Sequence, residues 1–265
     1  MKTNPVKQKL RRGEPSFGTW LSLGQLQAAR ILARSGWDWL TLDMEHGPFD
    51  WSEAAAVCAA VADAGCVPLI RVPEGSVPYI KRALDVGAWG IVVPMVETVE
   101  QARLAIQAAK YPPEGIRSAG GGMHALNFQA GLEEYYRQAN QEILVILQIE
   151  SPLGVQNTEA ICQLPGFDAL FIGPNDLRFR MRRPDGQFPS PEELESAIQQ
   201  VVDIGRKTGR PTGIHAMDPA EAQRRTEQGM QFLAVGSDLR MLALQNAAWC
   251  AALWPTRPFT DLARY

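Results

Sequence analysis

Several short apolar runs in this sequence end abruptly in polar side chains able to do chemistry. LDMEHGP supplies Asp43, Glu45 and His46; LIRVP supplies Arg71; LQIES supplies Gln148 and Glu150; FIGPND supplies Gly173, Asn175 and Asp176. Packing alone does not explain polar residues gathered at one end of apolar runs. Glu150 and Asp176 are carboxylates with no His or Cys beside them, a donor set suited to a hard divalent cation, Mg²⁺ or Mn²⁺ or else Co²⁺. Two protein ligands leave coordination positions for water and a chelating substrate, as in catalytic rather than structural sites. The same two acids could instead be solvated, or paired with Arg71.

Arg71 offers a planar donor fork for a carboxylate or enolate oxygen, or an ion-pair partner for Glu45 or Glu150. His46 titrates near neutrality and suits general acid/base work, or it closes the turn before Gly47 and Pro48. Asp43 stands beside it in the catalytic set, and Trp20, near the end of the first run, joins Gln148, Gly173 and Asn175 as a substrate contact. The other two histidines, His124 and His215, could each be a ligand or a substrate contact but read first as incidental. The glycines at 120–122 could cradle a phosphate, but no lysine and helix start follow them. None of the lysines (Lys2, Lys7, Lys9, Lys81, Lys110, Lys207) ends an apolar run. A Schiff-base mechanism needs such a lysine, so stabilisation of a carbanion falls to a metal or another cofactor.

The runs that must position these residues read as strands: 17–21, 39–43, 67–72, 90–96, 143–149, 169–172, 212–215 and 232–235. Most are continuously apolar, as parallel strands covered on both faces are. Helical patterns lie between them, at 23–35, 52–64, 78–86, 98–110, 190–207, 218–229 and 239–253. Thr98 with Gln101 reads as a capping box, and Ser190-Pro191 and Asp218-Pro219 as helix starts. Eight strand–helix units in 265 residues predict an α/β fold, a single (β/α)₈ barrel over 1–265, in which the C-terminal strand ends carry the catalytic residues. A doubly wound sheet is disfavoured, since no GxGxxG follows the first strand. Two stretches look long for connections: 111–141 and 178–189, the latter with the basic run RFRMRR.

The net charge of −3 gives no reason to expect nucleic acid or a membrane surface as partner. No apolar run approaches membrane-spanning length, and MKTNPVKQKLRRGEP lacks the apolar core of a secretory signal. Cys58, Cys66, Cys162 and Cys250 form no CxxC pair. Three of them sit in apolar context, which suggests buried thiols in a reducing, cytoplasmic setting.

The strand ends, together with VVPMVET, YPPEGIRS and VGSD, resemble in order and spacing the HpcH/HpaI class II aldolases, from about Gly18 to Asp238. That family includes 4-hydroxy-2-oxoheptanedioate and 2-keto-3-deoxy sugar-acid aldolases. The resemblance implies a barrel of the phosphoenolpyruvate/pyruvate-binding type, assembled as a homo-oligomer, commonly a hexamer. It implies cleavage or formation of 4-hydroxy-2-keto acids from pyruvate and an aldehyde. By motif, Glu150 and Asp176 resemble the metal ligands, and Gln148 and the Asn175 backbone the groups that orient pyruvate. Arg71 resembles the stabiliser of the enolate and His46 the base. Asp85, in ALDVGAW, resembles the acid that raises the basicity of His46 from a neighbouring subunit. The run Arg178–Arg183 departs from the small residues usual there; it would bind an anionic substrate or pack at a subunit contact. Other chemistry on the same enolate, such as oxaloacetate decarboxylation, and a non-catalytic barrel that only binds 2-keto acids are the alternatives.

Overall fold

The computed structural model describes residues 1–257. The expected single domain over 1–265 thus extends into 258–265, outside the described residues. Eight parallel strands close into a barrel in sequence order: β1 (Ser16–Leu21), β2 (Trp39–Asp43), β3 (Val67–Arg71), β4 (Gly90–Val93), β5 (Leu144–Ile149), β6 (Ala169–Ile172), β7 (Thr212–Ala216) and β8 (Phe232–Ser237). β1 pairs with β8 to complete the ring. Almost every strand residue is buried. This is why the strands are apolar without alternation: one set of side chains fills the barrel and the other lies under helices.

Inside the barrel the Trp39 and Phe232 rings stack with centroids 4.2 Å apart, and Phe171 meets Phe232 edge-on at 5.8 Å. Gly18 makes room for this layer, because a Cβ there would fall 2.1 Å from the Trp39 indole. Helix starts follow their caps. Asp50, Thr98 and Ser190 each close a capping box with Glu53, Gln101 and Glu193, which satisfies amide groups otherwise left without partners in the first turn.

The sequence pattern misjudges several boundaries. Strand β4 stops at Val93 rather than Val96, since Pro94 has no N–H to continue the ladder and Met95 takes φ 55°. The stretch 111–141 is not a plain loop: it holds the helices Met123–Asn127 and Leu132–Glu142. The second buries only Tyr135 and Ala139, a stripe too narrow to stand out in EEYYRQANQE. The basic run begins on the short helix Pro174–Arg180, opened by a proline in its first turn. Cys58, Cys66 and Cys162 are buried free thiols, as expected. Among the described residues, no helix is long and apolar enough to cross a membrane.

Candidate active site

The C-terminal ends of the strands converge on a cleft lined by Trp20, Asp43, Arg71, Gln148, Asp176 and His215, among others. A larger cavity of about 510 Å³ opens at the opposite face, between Lys7, Phe167, Arg210 and Gln231. That cavity gathers no set of acids and no residue from a C-terminal strand end, so the chemistry belongs to the smaller cleft.

Asp43 and Arg71 are register partners on β2 and β3. The Arg71 Nε and one terminal nitrogen donate to the two Asp43 oxygens at 2.9 and 2.6 Å, a bidentate geometry that fixes the guanidinium plane. The other terminal nitrogen lies 3.2 Å from Glu45, and the guanidinium carbon sits 4.5 Å from the centre of the Trp20 ring. Burial disfavours the charged form of Arg71, but Asp43, Glu45 and Glu150 outweigh it and keep the cation. Arg71 thus stands in a buried ion pair whose main partner is Asp43, where the sequence pointed to Glu45 or Glu150. Asp43 also accepts the N–H groups of Glu45 and His46, so one carboxylate shapes the turn after β2 and orients Arg71.

Glu150 follows β5 and is 2 % exposed. The Met95 N–H donates to its Oε1 at 2.8 Å, and Gln148 Nε2 to its Oε2 at 2.5 Å. The left-handed turn at Met95 lets this amide face the acid. Gly173, at the end of β6, is the reason Glu150 fits: a Cβ there would lie 2.3 Å from Glu150 Oε2. Burial pushes the Glu150 carboxyl up to about 7, with the charges of Asp176 and Glu45 adding to it. Glu45 is pushed up to about 7 by burial as well, against the pull of Arg71.

Carboxylates gathered in a buried cleft fit a cation, and their oxygen donors suit a hard one. Among the described residues no group of three or more His, Cys, Asp or Glu side chains could enclose an ion unaided. Glu150 and Asp176 are the pair that could hold one, which would leave positions for water and substrate. Two polar atoms favour a ligand here: Trp20 Nε1 and Gln148 Oε1 are buried with no hydrogen-bond partner, a costly state unless something binds. No lysine lines the cleft, in keeping with the absence of a Schiff-base lysine.

Most of the expected residues meet: Trp20, Asp43, Arg71, Gln148, Gly173, Asn175 and Asp176 line one cleft, and Glu150 packs against Gly173. His46 stands at the rim with its side chain 51 % exposed, 3.9 Å from Glu45. Asp85 ends the helix Val77–Asp85 and pairs with the buried Arg117 at 2.8 Å; within one chain it does not line the cleft. His215, which reads first as incidental, lines the cleft, with its ring 5.7 Å from that of Trp20 and Nε2 3.0 Å from the Gly236 carbonyl. Its place at the end of β7 was the available signal. His124 is fully buried beside Tyr135.

Fold and cleft together define a (β/α)₈-barrel enzyme with its acids at the mouth of the barrel. The model of the HpcH/HpaI aldolase/citrate lyase family matches residues 16–244. The chain is 39 % identical over 246 residues to a hydroxypyruvate/pyruvate aldolase of Delftia acidovorans, covering 92 % of this chain and 91 % of that one. It is 38 % identical to a 2-keto-3-deoxy-L-rhamnonate aldolase of Klebsiella pneumoniae, covering 89 % and 88 %. A crystal structure of a family member from Burkholderia cenocepacia superposes with a TM-score of 0.86 at 36 % identity, covering 96 % of this chain and 100 % of that one. This chain belongs to the HpcH/HpaI aldolase/citrate lyase family, and it is a carbon–carbon lyase.

Proposed function

We propose that this enzyme is a class II aldolase. It would cleave 4-hydroxy-2-keto acids to pyruvate and an aldehyde, or join the two, with Mg²⁺, Mn²⁺ or Co²⁺ held by Glu150 and Asp176. The observation that carries this reading is the seating of Glu150 against Gly173, beside a cleft whose other polar walls, Arg71, Gln148 and Trp20, suit a bound 2-keto acid. When present, the cation supplies Lewis acidity toward the carboxylate and keto oxygens of the substrate.

The chain's own residues account for the rest. Arg71, held by Asp43, sets a fixed positive charge where negative charge grows as the enolate forms. Fixed charge in a buried site needs no reorganisation during reaction, which is why it lowers the barrier. Gln148 gives one amide N–H to Glu150, which leaves the second N–H to meet a substrate carboxylate or keto oxygen and the unpartnered amide oxygen to accept from the C4 hydroxyl or a water. Trp20 gives Arg71 a flat wall. Gly173 and Asn175 bound the pyruvate end. His46 removes the proton from the C4 hydroxyl during cleavage and returns it during addition.

Among the described residues the acid beside His46 is Glu45, and Asp85 is paired with Arg117. This supports a homo-oligomer, hexameric by family resemblance, in which Asp85 of a neighbouring copy approaches His46. The helix Asp238–Leu253 supports assembly too: Leu242, Trp249 and Leu253 are all more than 60 % exposed, an apolar surface that a partner would cover. We read the protein as a single-domain cytoplasmic enzyme whose partners are small molecules. Stripping metal with a chelator should abolish release of pyruvate from a 4-hydroxy-2-keto acid, and Mg²⁺ or Mn²⁺ should restore it. Turnover that survives exhaustive metal removal would defeat the reading.

A further inference from the structure

Asp85 stands where a carboxylate does its own helix no good. It is the last residue of the helix Val77–Asp85, and the carbonyl end of a helix carries partial negative charge that disfavours an acid. A buried cation holds it there. Arg117 is 1 % exposed; one terminal nitrogen of its guanidinium donates to Asp85 Oδ1 at 2.8 Å, and the other to the Tyr135 hydroxyl at 3.1 Å. The guanidinium carbon lies 4.5 Å from the centre of the Tyr111 ring and 5.8 Å from that of Tyr135, so aromatic faces box the cation. The Arg117 N–H is itself fixed to the Lys110 carbonyl at 2.9 Å. The Asp85 side chain is 27 % exposed, and among the described residues its carboxylate accepts no side-chain hydrogen bond besides that of Arg117. Its second oxygen is thus open to a partner. The short helix Met123–Asn127 packs beside it, tied by the Asn127 side-chain amide to the Gly87 carbonyl at 2.9 Å. Ile116, Met123 and Leu126 around this acid are each more than half exposed, an apolar surface of the kind a second copy covers.

We propose that Arg117 is a positioning residue: it presents Asp85 of one copy to His46 of the next. The inference rests on the reading in which those two residues meet between copies, and deepens it. An aspartate on an open surface divides its time among staggered rotamers. The buried fork of Arg117, itself held by Tyr135 and Tyr111, selects one of them. Oδ1 stays with Arg117 and Oδ2 accepts the N–H of one imidazole nitrogen. That bond fixes the tautomer and leaves the other nitrogen free to exchange the proton of the C4 hydroxyl. Arg117 transfers no proton and touches no substrate. Its effect is felt only at the site of the neighbouring copy.

That last property supplies the test. Two differently tagged full-length chains are co-expressed, the mixed oligomer is isolated and loaded with metal, and kcat is measured for release of pyruvate from a 4-hydroxy-2-keto acid. Alone, Arg117→Met should lower kcat about 10- to 100-fold, the worth of one charged hydrogen bond, and Arg117→Lys should recover part of the loss. Mixed with His46→Asn, Arg117→Met should regain about a quarter of native kcat, because random pairing in a symmetric oligomer brings an intact Asp85–Arg117 pair to an intact His46 at that share of sites. Mixed with Asp85→Asn it should regain nothing, since no copy then carries an intact pair. Should Arg117→Met yield no folded chain, Arg117→Gln takes its place in the same pairings. Recovery from His46→Asn with Asp85→Asn but none from His46→Asn with the Arg117 variant would overturn the role of Arg117 and leave the meeting of Asp85 with His46 intact. Native kcat in the Arg117 variant alone would do the same. No recovery from His46→Asn with Asp85→Asn would overturn both.

Discussion

Asp43 and Arg71 face each other across β2 and β3 as register partners, and Asp43 accepts two hydrogen bonds from the Arg71 guanidinium. Both side chains are less than 10 % exposed. The pair therefore ties barrel stability to the orientation of a cation fixed in the cleft wall. Removing one partner of a buried ion pair leaves the other uncompensated, at a cost of about 3–5 kcal/mol. Asp43→Asn should lower unfolding free energy toward that range, reduced by the remaining contact with Glu45, and should lower kcat more than it raises KM. Denaturant unfolding and steady-state kinetics check this; a variant with unaltered stability and kcat would show that Asp43 does not hold Arg71.

Gly173 makes a sharper probe of the acid beside it. The methyl of Gly173→Ala would fall 2.3 Å from Glu150 Oε2 and 2.8 Å from Gln148 Nε2, so the carboxylate must shift while the surrounding barrel stays in place. We expect Mn²⁺ affinity, followed by electron paramagnetic resonance, to drop at least about tenfold, equivalent to roughly 1.4 kcal/mol, with the circular dichroism spectrum preserved. Native Mn²⁺ affinity in this variant would mean that Glu150 does not bind the ion.

Arg71 should tolerate no conservative exchange. Lysine keeps the charge but loses the planar fork that meets Asp43 and Glu45. In Arg71→Lys, exchange of the pyruvate methyl protons with deuterium should slow by about two orders of magnitude, the usual cost of losing an oriented charge stabiliser. Proton NMR reads the exchange directly, and a native rate would remove Arg71 from enolate stabilisation.

His215 gives the stability a defined pH dependence. Burial first, and then the nearby charge of Arg71, push its imidazole down to about 4, whereas an exposed histidine titrates near about 6.5. The unfolded chain takes up a proton as pH falls through about 6.5, and the folded chain does not until about 4. The stability present above the unfolded value is therefore lost progressively as pH falls toward 4, by at most about 3 kcal/mol. Thermal unfolding of His215→Asn should show a flatter decline between these limits than the native protein; identical slopes would contradict the assignment.

The strands and the acid-bearing strand ends were legible because a closed parallel barrel imposes continuous apolar runs, and Glu150 and Asp176 stand where those runs stop. Gly173 was legible as a site position, but its role was not, since close approach to Glu150 depends on the register of β5 and β6. The partnership of Asp43 with Arg71 was hidden for the same reason: residues 28 apart become neighbours only when β2 and β3 pair. His215 was legible only by its place at the end of β7, since a lone imidazole there is compatible with several roles. The helix Leu132–Glu142 escaped notice because its outward face is almost wholly polar.

The most direct measurement is a crystal structure with Mn²⁺ and oxalate, with data collected at a wavelength where manganese scatters anomalously. A single anomalous peak should lie between the carboxylates of Glu150 and Asp176, with both oxalate groups chelating it and Arg71 facing the ligand. Manganese bound elsewhere, or oxalate seated with no ion between those two acids, would contradict the proposed chemistry.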